Sequence, residues 1–213
     1  MIVLGLNTAG HACDLALVKA GQVLSEHRES MMRGQDARLP GLVRDMLVAN
    51  MIGFESIDRL AVVTGPGSFT GIRVGVSFAR GLALATGVPC VGVTSLEAAL
   101  PRGQQGSAIV VMPAQKRPPD ITFWTQTFRS GMATGAAQEM SLEALYTLLQ
   151  EHPHMVYGDP DLLGTHLGHQ TIHEATSRAF GAAICASHLD PEQRPARPTY
   201  ARAPDAVRPA GTS

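Results

Sequence analysis

The chain has 213 residues, 45% of them apolar, with 17 basic side chains against 18 acidic ones and a formal charge of −1. That length holds one large domain or two small lobes around a buried core, and a soluble globule is expected. The balanced charge excludes a strongly basic nucleic-acid binder, so any RNA would be gripped mainly through a partner.

The start MIVLGLNTAGH lacks the basic flank of a signal peptide. Residues 2–8 and 13–19 are β-rich runs around the turn AGHA, and QVLSEHRE follows the Ala20-Gly21 turn, which predicts a three-stranded meander. Leu39, Leu42, Val43, Met46, Leu47 and Met51 then recur at helical spacing, predicting a helix from Leu39 to Ile52 with Gly53 as its stop. LAVVT is a short strand, and behind it comes TGPGSFTGIRVGVSFARGLALATG, a glycine loop followed by a helix from Gly71 to Thr86. The longest apolar run, Gly81 to Val93, is broken by Pro89 and falls short of the roughly 20 residues a membrane helix needs. CVGVT is the next strand, and Ser95 opens a short helix whose polar first turn suits capping.

PRGQQGS reads as a linker, and AIVVMP, ITFWTQTF and ATGAAQEM as strands. Ser141 caps the helix SLEALYTLLQ, MVYGD is a strand, and a last helix runs from about Ser177 to His188. Both halves approximate βββαβα, which predicts an α/β fold of two lobes: residues 1–100, a smaller lobe over 101–190, and an extended, partly disordered tail over 191–213. The order is similar to the duplicated fold of actin and sugar kinases. Cys13, Cys90 and Cys185 are too widely spaced for a disulfide framework or a zinc site and are expected as plain buried thiols in a reduced, cytoplasmic setting.

The glycine loop of Gly65, Pro66, Gly67, Ser68 and Thr70 invites comparison with phosphate cradles. A Walker loop needs Lys after its last glycine, and here Ile72 and Arg73 follow Gly71. A dinucleotide fingerprint needs GxGxxG, and this is GxGxxxG. Gly71, Gly75, Ala79 and Ala83 are four apart and form a ridge of small side chains, while Ile72, Val74, Val76, Phe78 and Leu82 spread apolar surface around the helix. Two readings stay open: the helix packs wholly inside its domain, or it docks another protein. On the second reading, Gly75→Leu or Ala79→Leu is expected to abolish pairing with the monomer still folded.

GPGSFTGIRVG resembles the signature of the bacterial TsaB family (YeaZ-like, within the Gcp/TsaD-like superfamily), which serves tRNA threonylcarbamoyladenosine biosynthesis. VLGLNTAGHACDLALV, VYGDP and PARPTYARAPDA are similar to further segments of that family. The resemblance implies a two-lobed actin-like (ASKHA, ribonuclease H-like duplicated) fold and a noncatalytic accessory role without a cofactor or metal. It implies pairing with a TsaD-like catalytic subunit, association with a TsaE-like ATPase, self-pairing, and tRNA reached mainly through the complex. Carried onto this chain, it places the partner interface on Gly71, Arg73, Val74, Gly75, Phe78, Ala79 and Leu82 of one helix and Leu42 and Met46 of another. The chain departs from the family pattern at Asn7, where relatives commonly have Asp, at Pro113-Ala114-Gln115 in place of Asp-Ala-Arg, and near Gln35, where a His is usual.

A magnesium-dependent ATPase site wants a carboxylate where Asn7 stands, and Asp14 is expected as an exposed hairpin carboxylate. His169 and His173 have the spacing of a helical metal pair, with His166 three residues before the first, but the stretch TIHEAT reads as a strand. Ser68 has no adjacent base and is expected to cap a helix, which argues against proteolysis. The alternative reading is a self-associating, actin-like nucleotide-binding module without a tRNA role.

Overall fold

The computed structural model describes residues 1–115, 121–152, 154–168 and 170–199. Strands β1 (Ile2–Asn7), β2 (Ala12–Lys19) and β3 (Gln22–Ser30) form the expected antiparallel meander, turning at Ala20-Gly21. Their burial differs by position in the sheet. β1 and β2 are buried on both faces, while β3 lies at the edge and is largely exposed. Helix α1 (Gln35–Ala49) begins four residues before the first periodic apolar position and runs through Pro40. A single helical turn at Phe54–Ser56 leads to β4 (Arg59–Val63), parallel to β1. α2 (Phe69–Thr86) and β5 (Cys90–Val93) follow, completing a sheet in the order β3-β2-β1-β4-β5.

α3 (Ser95–Ala99) opens at Ser95 as expected. Thr94, not Ser95, is the cap: its side chain accepts from the Glu97 amide while Glu97 reaches back to the Thr94 amide. Ser95 is buried, and its hydroxyl donates to the Pro66 carbonyl instead.

The second sheet contains β6 (Ser107–Gln115), β7 (Thr122–Arg129), β8 (Met132–Ala133), β9 (Gln138–Ser141), β10 (Met155–Gly158) and β11 (Ile172–Glu174). Its order is β11-β10-β6-β7-β8, with β9 also on β7. α4 (Leu142–Glu151) starts at Ser141 as expected, with the Ser141 hydroxyl accepting from Ala144. α5 (Pro160–Leu167) was not expected, although Asp159 at its cap and Pro160 in its first turn are start signals written in the sequence. α4 and α5 enclose a core around Ile109, Phe123, Leu145 and Leu163.

α6 (Arg178–Ala186) crosses the expected boundary between halves. It packs on the first sheet, and Ala179, Ala182, Ala183 and Ala186 are fully buried there. A Cβ at Gly181 would lie 1.7 Å from the Ala98 carbonyl oxygen, so α6 and α3 touch backbone to backbone. α1 and α2 cover one face of the first sheet and α6 the other, which explains why β1 and β2 are apolar on both sides.

Over the part described, the tail is extended along the first sheet. Arg194 to Thr199 lie along the β5 edge: the Gly92 amide donates to the Arg194 carbonyl (2.9 Å), and Val91 faces Pro195 in an antiparallel bridge. The Thr199 amide donates to the Thr64 carbonyl (2.8 Å), and Ala196 is buried. The remaining tail, from residue 200, lies outside the described residues. No described helix is long and apolar enough to cross a membrane.

Candidate functional site

The glycine loop leaves β4 at Val63 and makes a turn that only unencumbered backbone can follow. Gly65 has φ 113°, and a Cβ there would sit 2.7 Å from the Thr199 carbonyl oxygen. Ser68 caps α2, its hydroxyl accepting from the Gly71 amide at 3.2 Å, which is the role expected of it. The other groups of the loop are used in the same structural way. The Ser68 amide donates to Ala9, the Gly65 carbonyl accepts from the Ser95 amide, and the Pro66 carbonyl accepts from the Ser95 hydroxyl. Gly65 and Pro66 are buried, whereas Gly67, Ser68 and Thr70 are exposed. The loop binds the β1–β2 turn and α3 to the start of α2 and is a joint between elements.

Helix α2 does not present its small ridge outward. A Cβ added at Gly71 would lie 1.9 Å from the Thr8 carbonyl oxygen, and one at Gly75 would lie 2.3 Å from the Thr8 hydroxyl. Ala79 is fully buried. The ridge therefore seats α2 on the end of β1, and Gly71, Gly75 and Ala79 are corrected from partner contacts to internal packing. Leu42 and Met46 are likewise 6% exposed, packed in the core under α1. The expectation that Gly75→Leu or Ala79→Leu leaves the monomer folded falls with them, because no room exists for the added atoms.

Of the residues expected at the interface on α2, Arg73, Val74, Phe78 and Leu82 are not fully buried. Arg73, Ser77, Arg80 and Leu84 are exposed, and Val74, Phe78 and Leu82 are half-buried at the flank. The Arg73 guanidinium lies 3.8 Å from the centroid of the Phe69 ring. Leu84 is 88% exposed, and Val48 on the adjoining α1 is 70% exposed. Sequence reasoning missed Leu84 and Val48, since helical periodicity assigns apolar residues to the core by default.

Asp14 is buried, against the expectation of an exposed carboxylate. It is 3% exposed and pairs across the hairpin with Asn7, whose Nδ2 donates to Asp14 Oδ2 at 2.6 Å. Asn7 Oδ1 accepts from the Ala9 amide. Asp14 Oδ1 has no hydrogen bond and lies 3.7 Å from Arg28 Nη1. Arg178, at the start of α6, sits over Gly10; burial pulls its pKa down and the Asp14 charge pushes it back up. Asp14 is thus held by the Asn7 amide and faces the charges of Arg28 and Arg178.

At the far side of the loop, Glu97 accepts from Arg194 through both guanidinium nitrogens, at 2.9 and 3.2 Å, and from the Thr94 amide and hydroxyl. Burial acts to raise its pKa, but Arg194 and Thr94 outweigh it and hold the carboxyl below its usual range. Cys13 is buried, and Cys90 and Cys185 are half-buried; burial pushes each thiol up to about 11, so none is a ready nucleophile.

His166 on α5 packs edge-on against Phe123 of β7, and the ring of His173 on β11 lies 5.4 Å from that of Tyr157 on β10. His169 lies outside the described residues, as do the side chain of Gln115 and the residues after it through Asp120. Among the described residues, no three His, Cys, Asp or Glu side chains converge as a metal site.

Residues 22–115 match the family described as TsaD, tRNA N6-adenosine threonylcarbamoyltransferase. The chain is 40% identical over 96 residues to the tRNA threonylcarbamoyladenosine biosynthesis protein TsaB of Escherichia coli, covering 45% of this chain and 41% of that protein. It therefore spans about two-fifths of the length of that curated relative. Among solved structures it is similar to YeaZ from Pseudomonas aeruginosa, with a TM-score of 0.69 at 23% identity over 93% of this chain and 99% of the other. A second structure, with similarity to peptidase YeaZ from the same organism, gives 0.71 at 22% identity over 94% and 99%. These structural likenesses show a shared α/β fold. The chain is thus similar to TsaB in sequence over part of its length and to YeaZ in fold across nearly all of it.

Proposed function

We propose that the chain is a noncatalytic accessory subunit in tRNA threonylcarbamoyladenosine biosynthesis, acting in the cytoplasm by pairing with a TsaD-like catalytic subunit. The observation that carries this reading is the outward face of α2. It bears Leu84 and half-buried Phe78 and Leu82 on a helix that a tight glycine loop fixes in place, inside the segment that matches the TsaD family. Apolar side chains left exposed or half-buried on a rigid helix suit a protein partner. Asn7, Asp14 and Ser68 meanwhile serve structure, which supports a supporting role over a chemical one.

The revised interface is Arg73, Val74, Ser77, Phe78, Leu82 and Leu84, with Val48 from α1. A TsaE-like ATPase and tRNA belong to the assembled complex in this reading, and the same face supports self-pairing when the catalytic subunit is absent. The architecture is two actin-like lobes made by duplication. The equal strand orders favour it: β3-β2-β1-β4-β5 in the first sheet and, read from the β8 and β9 edge, β7-β6-β10-β11 in the second.

The test is light-scattering chromatography of the chain mixed with the TsaD-like subunit of its own source. A stable one-to-one complex is expected. Absence of a complex even with the TsaE-like ATPase and nucleotide added would overturn the reading and favour a self-associating module.

A further inference from the structure

A cavity of about 600 Å³ opens between α3, α6 and the β7–β8 hairpin, on a side of the molecule that the pairing reading does not use. Its volume falls within the range of small-molecule sites. The walls are apolar and come from elements far apart in sequence: Leu100 after α3, Phe128 on β7, and Phe180 and Ile184 on α6. Leu100, Phe128 and Ile184 are themselves buried, so the walls belong to the core and are held in place by it.

The charge around this cavity is one-sided. Among the described residues lining it, Glu97 is the only carboxylate, and both its oxygens are occupied by Arg194 and Thr94. Arg102 and His188 stand exposed at the rim. The Arg102 guanidinium lies over Gly21 in the β2–β3 turn and has no hydrogen bond or ion pair among the described residues. An apolar chamber whose own acid is neutralised, with an exposed guanidinium at its rim, complements a molecule with an apolar body and one anionic end.

We propose that this cavity binds an amphipathic carboxylate, its acyl chain lying between Phe128, Phe180 and Ile184 and its carboxylate paired with Arg102. The inference goes beyond the pairing function and does not depend on it. It is tested on the full chain alone, by calorimetric titration with dodecanoate below its micelle concentration and with dodecyltrimethylammonium as the cation of matched chain. Dodecanoate is expected to bind at one per chain and at least about tenfold tighter than the cation, the scale of one charge-assisted pair.

Two variants locate the site. Ala133→Trp, at an exposed position of the hairpin that lines the cavity, is expected to abolish binding by filling it, and Arg102→Glu to weaken dodecanoate about tenfold and remove the preference for the anion. No dodecanoate binding, equal binding of the cation, or binding unchanged in Ala133→Trp would each overturn the proposal. The anion-over-cation preference of the unaltered chain decides the matter even if a variant does not fold, and none of these readouts involves a partner subunit.

Discussion

The hydroxyl of Thr8 donates to the carbonyl oxygen of Gly71 at 2.6 Å while filling the space beside Gly75 one turn further along α2. A residue at the end of the first strand thereby sets the depth at which the second helix rests. The consequence is a prediction about folding. Gly71→Ala places a methyl group against rigid backbone, and Gly75→Leu has to displace both Thr8 and the helix. Each is expected to destabilise the monomer by about 2–4 kcal/mol, at or above the usual cost of overpacking. Urea denaturation of the isolated chain would measure it; a Gly75→Leu protein as stable as the parent would show that α2 does not sit where Thr8 holds it.

Leu84 gives the opposite expectation on the same helix. Its side chain is 88% exposed, so Leu84→Asp should alter monomer stability by less than about 0.5 kcal/mol. A charge placed inside a closed apolar interface lacks both water and a partner, and pairing with the catalytic subunit should weaken at least about tenfold. Comparing denaturation with the size of the complex on chromatography separates the two effects. Unchanged pairing would move the interface off this end of α2.

The contrast between Gly75 and Leu84 shows what a one-dimensional pattern reveals. Strands, helices and the loop were legible because alternation, helical spacing and the cap at Ser68 are local properties. The choice of face was not. A small-residue ridge looks the same whether it meets another protein or its own first strand, and here it meets Thr8. A close contact between helices is made elsewhere, by Gly181 of α6 against Ala98, between segments more than 80 residues apart. Asp14 was misplaced for a related reason: the type of residue suggests solvent, and only the pairing of Asn7 with Asp14 across the hairpin reveals a buried carboxylate held by an amide.

That carboxylate supplies a third prediction. Asp14→Asn keeps the shape and an acceptor for Asn7, but it removes the negative charge beside Arg178 and Arg28. Arg178 then remains half-buried without compensation, and a loss of about 1–3 kcal/mol is expected. Asp14→Leu, which also orphans the Asn7 amide, should cost more. If denaturation midpoints of the parent and Asp14→Asn coincide, the charge of Asp14 does not hold this corner together.

The tail contact is the most exposed to pH. Arg194 reaches Glu97 through two nitrogens, and the chain beyond it covers the β5 edge and ends its described course on Thr64, beside the glycine loop. An uncovered edge strand offers free amides and carbonyls to other chains, so releasing this strap should also promote self-association. Because folding lowers the Glu97 pKa from its ordinary 4.5, the stabilisation from its charge is fully present above that value and is lost as pH falls through the lower folded one. Glu97→Gln should release the strap at neutral pH, and the parent should release it only below about pH 4.5. The Arg194 side chain is 39% exposed, so solvent screening limits the effect to about 1 kcal/mol, or roughly fivefold faster hydrogen exchange at the Gly92 and Thr199 amides. Exchange that is identical in parent and Glu97→Gln would assign the hold on the tail to the backbone pairing with β5 alone. Faster exchange confined to those amides would make the Arg194 fork the fastener that closes the sheet edge and steadies the glycine loop beneath α2.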